Sequence, residues 1–354
     1  MHCGLFGCYF KNLTFRGSNG FRAATYGFIL YIRLIKLYPM KKNGLKTTWK
    51  ILGFCFLGFF FLFNIVAYNH AQKFTRFGQP GAKKRTNLDK LSGMEKVGVV
   101  LSGITNPKPQ NDSVPHVGYE TVKLGTERKL EAWLLKADSS KGTVIAFHGY
   151  SGNKSSLVKQ SEIMRDLGWN ALIVDFYGCG NSEGNETTIG VKEAIDVKTC
   201  FDHVDSTSNQ PIILYGVSMG AAAIMKAVSE KSVSPDKIIL ECPFGNMRSA
   251  VGARVSAMGA PTIPFTDLFM FWGGVQNGFW AYDHNPEDYA KEINVPTLLM
   301  YGEKDKRVPR SETDLIFQNL AGEKKLVTFP ESGHESYLTK YKTEWTQTVD
   351  EFLN

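Results

Sequence analysis

Acidic residues are nearly missing from the first 100 positions, where Asp89 and Glu95 stand against 16 lysines and arginines. The remainder reverses the balance, with 25 basic residues against 32 acidic ones. The formal charge of +7 therefore belongs to a basic leader in front of a mildly acidic body. Such a body is a poor partner for nucleic acid, and a basic leader beside an apolar segment faces lipid headgroups. Cysteine is also sparse. The six present form no C-x-x-C pair and no metal-ligand spacing, which excludes a disulfide framework and a zinc site of the usual spacing. Cys3, Cys8 and Cys55 fall in the leader, and Cys179, Cys200 and Cys242 read as structural thiols of the body. No internal repeat is visible, which excludes a solenoid.

Charge disappears altogether between Ile51 and Tyr68, where the chain reads ILGFCFLGFFFLFNIVAY. At about 1.5 Å per residue this run nearly crosses a hydrocarbon core of about 30 Å. Lys41, Lys42, Lys46 and Lys50 precede it, and no A-x-A cleavage site follows. Residues 51–68 are thus expected to be an uncleaved transmembrane signal anchor behind a basic leader, 1–50. A basic start before an apolar run enters the membrane amino end inside, so the body is expected on the exported side, although Lys73, Arg76, Lys83, Lys84 and Arg85 nearly balance the flanking charge. Residues 1–39 are Gly-, aromatic- and Arg/Lys-rich without a period, and Met40-Lys41-Lys42 resembles a normal signal-anchor start. Translation from Met40 is the expectation. Residues 69–117 read as a linker, punctuated by Gln79-Pro80-Gly81 and Asn106-Pro107-Lys108-Pro109, with a short helix near 88–103.

What is present in the body, 118–354, is alternation. Tyr119–Leu124 and Leu130–Lys136 read as an antiparallel pair around Gly125. Strand-sized apolar runs follow at Val144–Phe147, Ala171–Val174, Ile212–Tyr215, Ile238–Leu240, Thr297–Tyr301 and Leu326–Phe329. Amphipathic stretches separate them near 154–167, 190–204, 219–231, 310–320 and 336–353. That order predicts an α/β fold, a mostly parallel central sheet with helices on both faces. Ligands of such sheets bind beyond the carboxyl ends of the strands.

Gly216-Val217-Ser218-Met219-Gly220 lies where the run Ile212–Tyr215 turns into a helical pattern. A sharp strand-to-helix turn exposes the serine hydroxyl at a helix amino end, and leaves no room for side chains at Gly216 and Gly220. A serine needs a base. Of seven histidines, His2 and His70 lie in the leader and His116 in the linker, while His203 falls within a helix and His284 within the variable region. His148 ends a strand and reads as a loop-shaping residue. His334, in Ser332-Gly333-His334-Glu335 just after the last strand, is the expected base. Asp305, after the run ending at Tyr301, is the expected acid that orients the imidazole, with Glu241 the first alternative and Glu303 another.

The chain order Ser218, Asp305, His334 is that of the α/β-hydrolases. Residues from about 118 to 354 resemble that superfamily, closest to its serine aminopeptidase-like and prolyl-oligopeptidase-like branch. The resemblance rests on His148-Gly149, Asp175 to Ser182, the turn around Ser218, Asp305-Lys-Arg-Val-Pro309 and Gly333-His334. It implies an oxyanion hole from the backbone N–H groups of Met219 and Tyr150, and a pocket-wall loop at 175–182. It also implies a helical cap at about 243–290, whose Met258, Phe265, Leu268, Phe269, Met270, Phe271, Trp272, Phe279 and Trp280 either line an acyl pocket or pack on the body. The expected activity is ester hydrolysis through an acyl-enzyme, with a small-molecule or lipid-like substrate and no metal or organic cofactor. The rivals are a serine aminopeptidase, which needs an acid in the pocket for the substrate amine, and a silent membrane-tethered binding protein on the same fold.

Overall fold

In the computed structural model, residues 42–79 and 92–354 are described. His2, Cys3, Cys8 and the start at Met40 lie outside the described residues. Lys42–Thr75 forms one continuous helix, α1. Its Lys46–Thr75 portion is long and apolar enough to cross a membrane. Ile51, Phe54, Phe56 and Phe59 are exposed on it, a distribution that suits hydrocarbon and not water. The chain divides into two units, Met1–Leu62 and Phe63–Asn354. The helix thus continues past the expected end at Tyr68, and its last turns pack with the body. Phe77 is buried, and its N–H donates to the carbonyl of Asn185 at 2.6 Å. A second helix, α2 (Gly93–Ser102), starts at a capping box in which Ser92 and Glu95 satisfy each other's backbone N–H.

The body follows in the order β1 (Glu120–Leu124), β2 (Leu130–Leu135), β3 (Thr143–Phe147), α3 (Val158–Asp166), β4 (Asn170–Asp175), α4 (Glu193–Thr207), β5 (Ile212–Val217), α5 (Met219–Ser229) and β6 (Lys237–Glu241). The cap helices α6 (Met247–Ala257) and α7 (Thr262–Asn277) and the short α8 (Pro286–Tyr289) come next. Then come β7 (Thr297–Gly302), α9 (Arg310–Asn319), β8 (Lys324–Phe329) and α10 (Lys342–Leu353). Eight strands form one sheet in the order β1-β2-β4-β3-β5-β6-β7-β8. β2 pairs antiparallel with both β1 and β4, and every other pairing is parallel.

The central strands are apolar at nearly every position because both faces are covered. Ile145 and Phe147 of β3, with Ile212 and Leu214 of β5, enter the core beneath α4 and α5. Val144, Ala146, Ile213 and Tyr215 point the other way, into the core beneath α3 and α10. The period of two that assigns them is strand geometry. Parallel pairing then puts the carboxyl ends Phe147, Val217, Glu241, Gly302 and Phe329 along one edge, where the candidate chemistry gathers.

Candidate active site

Ser218 sits between β5 and α5 at φ 52°, ψ −108°. A non-glycine residue there stores about 1–3 kcal/mol of backbone strain. Two close approaches hold the turn. A Cβ at Gly216 would come within 2.6 Å of the Ala221 nitrogen, and one at Gly220 within 2.4 Å of the Phe147 carbonyl oxygen. The Ser218 N–H donates to the Glu241 carbonyl at 2.8 Å, which ties the turn to the neighbouring strand.

His334 reaches back from the loop after β8. Its Nε2 lies 3.0 Å from Ser218 Oγ and its Nδ1 2.6 Å from Asp305 Oδ2. Because a carboxylate only accepts, Nδ1 carries the proton and Nε2 is left to accept from the serine hydroxyl. Asp305 is itself fixed by the N–H groups of Arg307 at 2.7 Å and Val308 at 3.0 Å. Burial works against its charge, but the His334 ring and these N–H donors hold Asp305 below the ordinary carboxylate range. For His334, burial likewise opposes the charged form, yet Cys242 and Asp305 outweigh it and raise the ring to about 10. Cys242, Asp305 and His334 offer three ligand atoms within 4.8 Å of one another. In this arrangement the protonated Nδ1 faces Asp305 and the Nε2 lone pair faces the Ser218 hydroxyl.

Gly149 and Tyr150 follow β3, and a Cβ at Gly149 would touch the Ser218 Cβ at 3.6 Å. Met219 begins α5, where first-turn N–H groups have no intrahelical acceptor. Tyr150 and Met219 both line the cavity that contains Ser218. His148 is buried, donating from Nδ1 to the Gly149 carbonyl at 2.8 Å and accepting the Phe176 N–H on Nε2 at 3.2 Å. Burial keeps it neutral by lowering its pKa, and its place is to shape the loop.

The alternative acids are engaged elsewhere. Glu241 accepts from Tyr215 Oη at 2.9 Å and Trp345 Nε1 at 2.7 Å, and burial raises it to about 7. Glu303 pairs with Arg310 at 3.1 Å on the surface. His116 meets Glu162 at 3.2 Å, and His284 is buried against the Ile189 carbonyl at 3.1 Å.

The cavity around Ser218 measures about 560 Å³. Ala250, Ala253, Arg254 and Ala257, at helical spacing on α6, line it together with Phe244. The aromatic residues named for the cap, from Phe265 to Trp280, do not. Phe265 packs on Phe63 with ring centroids 5.5 Å apart, Phe269 on His70 at 5.2 Å and Trp272 on Tyr68 at 5.4 Å. Spacings of four and three put these three on one face of α7, turned toward α1. The loop 175–182 is absent from the cavity wall as well. Asp175 instead forms a buried ion cluster with Lys154 and Glu131, and Ser182 Oγ donates to the Asp175 carbonyl at 2.6 Å.

Sequence reasoning passed over Cys242, Arg254, Lys306 and Arg307, all of which line the Ser218 cavity. Cys242 was within reach of the carboxyl-end rule, since it directly follows β6. Arg254 carried no local signal.

A mostly parallel sheet with a serine on the strand–helix turn of β5 is the α/β-hydrolase fold, and the chain is similar to proteins of that fold. The family model described as serine aminopeptidase, S33, matches residues 138–274. The uncharacterized protein YqkD of Bacillus subtilis is 29% identical over 219 residues, covering 60% of this chain and 71% of that one. Protein bem46 of Schizosaccharomyces pombe is 25% identical, covering 75% and 93%. The lysophosphatidylserine lipase ABHD12 of Mus musculus is 27% identical over 56% of this chain, which spans 49% of that relative. An esterase from Pyrococcus furiosus shares the fold at a TM-score of 0.59 and 24% identity, over 70% of this chain and 96% of its own.

Proposed function

We propose that this chain is a membrane-anchored serine hydrolase that cleaves acyl esters of lipid-like character. Ser218 attacks the ester carbonyl while His334 accepts its proton at Nε2. Asp305 keeps the imidazole in the required tautomer and stabilises the imidazolium. The N–H groups of Met219 and Tyr150 receive the oxyanion, each contributing about 2.7–4 kcal/mol to the transition state. His334 then protonates the leaving alkoxide, and an acyl-Ser218 remains. Water deprotonated by His334 hydrolyses it and regenerates the serine.

The observation that carries this reading is the unbroken chain from Ser218 Oγ through His334 to Asp305, at 3.0 and 2.6 Å, opening on a cavity of about 560 Å³. An esterase and a lysophosphatidylserine lipase among the similar proteins support an ester substrate. The apolar helix supports attachment to a membrane through residues 51–68. The lysines before that run favour a body on the side opposite the amino terminus. A peptidase reading has the family description behind it. Against it, the acids lining the cavity are occupied, Glu241 by Tyr215 and Trp345 and Glu335 by Lys340. Neither is free for a substrate ammonium.

The test is a fluorophosphonate probe on the full chain in nonionic detergent, beside Ser218→Ala, with esters of increasing acyl length in parallel. Labelling lost in the variant, together with ester turnover, is expected. Wild-type protein that is folded yet neither labelled nor active would sink the enzyme reading.

A further inference from the structure

The structure describes seven arginines, and five of them reach a carboxylate: Arg76, Arg128, Arg165, Arg248 and Arg310. Arg254 and Arg307 reach none within 4.0 Å among the described residues. These two are also the arginines that line the Ser218 cavity, where Lys306, without a carboxylate partner of its own among the described residues, joins them. An arginine on an open surface loses little by lacking a partner. Arg254 is half-buried, with its guanidinium 3.8 Å from the Tyr150 ring centroid and 4.7 Å from that of Phe74. Aromatic faces steady the cation but accept none of its in-plane N–H bonds. Burying a cation without an acceptor is costly, and the described residues offer none, so a bound anion is the expected partner.

The nearby acids do not supply it. Asp305 is bound to His334 and to two backbone N–H groups, Glu241 to Tyr215 and Trp345, and Glu335 to Lys340. The wall formed by Arg254, Lys306 and Arg307 is therefore left with a positive excess beside the serine hydroxyl. A guanidinium binds phosphate or carboxylate through two parallel N–H bonds, and two guanidinium groups on one cavity suit an oxyanion with several acceptor oxygens.

We propose that Arg254 and Arg307, assisted by Lys306, form an anion subsite that selects acyl esters whose alcohol portion carries a phosphate or a carboxylate. This rests on the ester-hydrolase reading and deepens it by naming the charge of the substrate. Arg254 also lies on the ring of Tyr150, so the anion would bind next to the loop that offers the oxyanion donor. The neutral part of the substrate would then occupy the stretch of cavity beside Ala250, Ala253 and Ala257.

The experiment compares kcat/KM for two esters with the same acyl chain, monoacylglycerol and monoacylglycerol phosphate, using the full chain in nonionic detergent. Inorganic phosphate is titrated as an inhibitor in parallel. The phosphate ester is expected to be favoured at least tenfold. Arg254→Gln and Arg307→Gln should each lower the anionic-to-neutral ratio about tenfold, and Arg254→Lys should recover part of it. Arg310→Gln, outside the cavity, should keep the wild-type ratio. Because the neutral ester reports active protein in every variant, partial misfolding does not change the ratio. Phosphate that inhibits competitively while the ester ratio stays at one would mean a site for free anion only and would overturn the substrate assignment. A ratio of one without inhibition, or a ratio insensitive to both arginines, removes the subsite and leaves the hydrolase intact. Absence of probe labelling and of turnover for both esters removes the hydrolase reading itself.

Discussion

The hydroxyl of Tyr150 donates to the backbone carbonyl of Phe74 at 2.8 Å, and the two rings stack with centroids 5.1 Å apart. Phe74 lies in the last turn of the apolar helix, and Tyr150 borders the cavity of Ser218. The carboxyl end of the apolar helix therefore packs directly on the loop that borders the candidate active site. Phe77 adds a second ring at 6.1 Å from Tyr150.

Phe74→Ala should destabilise the body by about 1–3 kcal/mol, since a half-buried aromatic with one stacked partner is lost. Ester kcat should fall with it, because the Tyr150 loop loses its support. A protein starting at residue 79 should melt lower than one starting at 63, measured by thermal unfolding in the same detergent. Equal melting temperatures would mean the contact is incidental.

Asp305→Asn should keep the fold and reduce kcat by about 10⁴, because an amide can donate to Nδ1 and so permits the wrong imidazole tautomer. The measurement is kcat on a nitrophenyl ester, with circular dichroism to confirm folding. A loss below tenfold would return Glu241 to consideration as the acid.

The pH profile follows from His334. In the proposed mechanism the ring accepts the serine proton only when neutral, and its pKa is raised above the ordinary value of 6.5 toward 10. A raised base shifts the rising limb of kcat/KM to higher pH, so activity should still be climbing above pH 7. Cys242→Ala removes one of the groups that favour the charged ring, and should move that limb toward neutrality. An unchanged midpoint in the variant would exclude Cys242 from the titration.

Glu241 makes a separate stability prediction. Burial raises its pKa from 4.5 to about 7, so the folded chain holds this proton more tightly than the unfolded one. Stability associated with the protonated form is complete below about pH 4.5 and is lost as pH rises through 7, for a total of about 3 kcal/mol. Glu241→Gln resembles the protonated form. It should match wild type near pH 4.5 and exceed it above pH 8 in denaturant melts, whereas parallel curves at both pH values would contradict the assignment.

Much of the molecule was legible along the chain. The strands lie within two residues of their apolar runs because a sheet covered on both faces demands continuous β-branched and aromatic segments, as in Val144–Phe147 and Ile212–Tyr215. Ser218 and its two glycines were readable because the turn tolerates so few residues at those positions. The long apolar helix needed only length and the absence of charge. Tertiary structure alone decided which face of each cap helix meets the cavity. The aromatic residues of α7 turned to α1, and the small face of α6 with Arg254 turned to Ser218. It also decided that Glu241 binds Tyr215 and Trp345, leaving Asp305 beside His334. These outcomes depend on contacts between residues far apart in the chain. Local pattern reports how a segment folds, and only packing determines what it folds against.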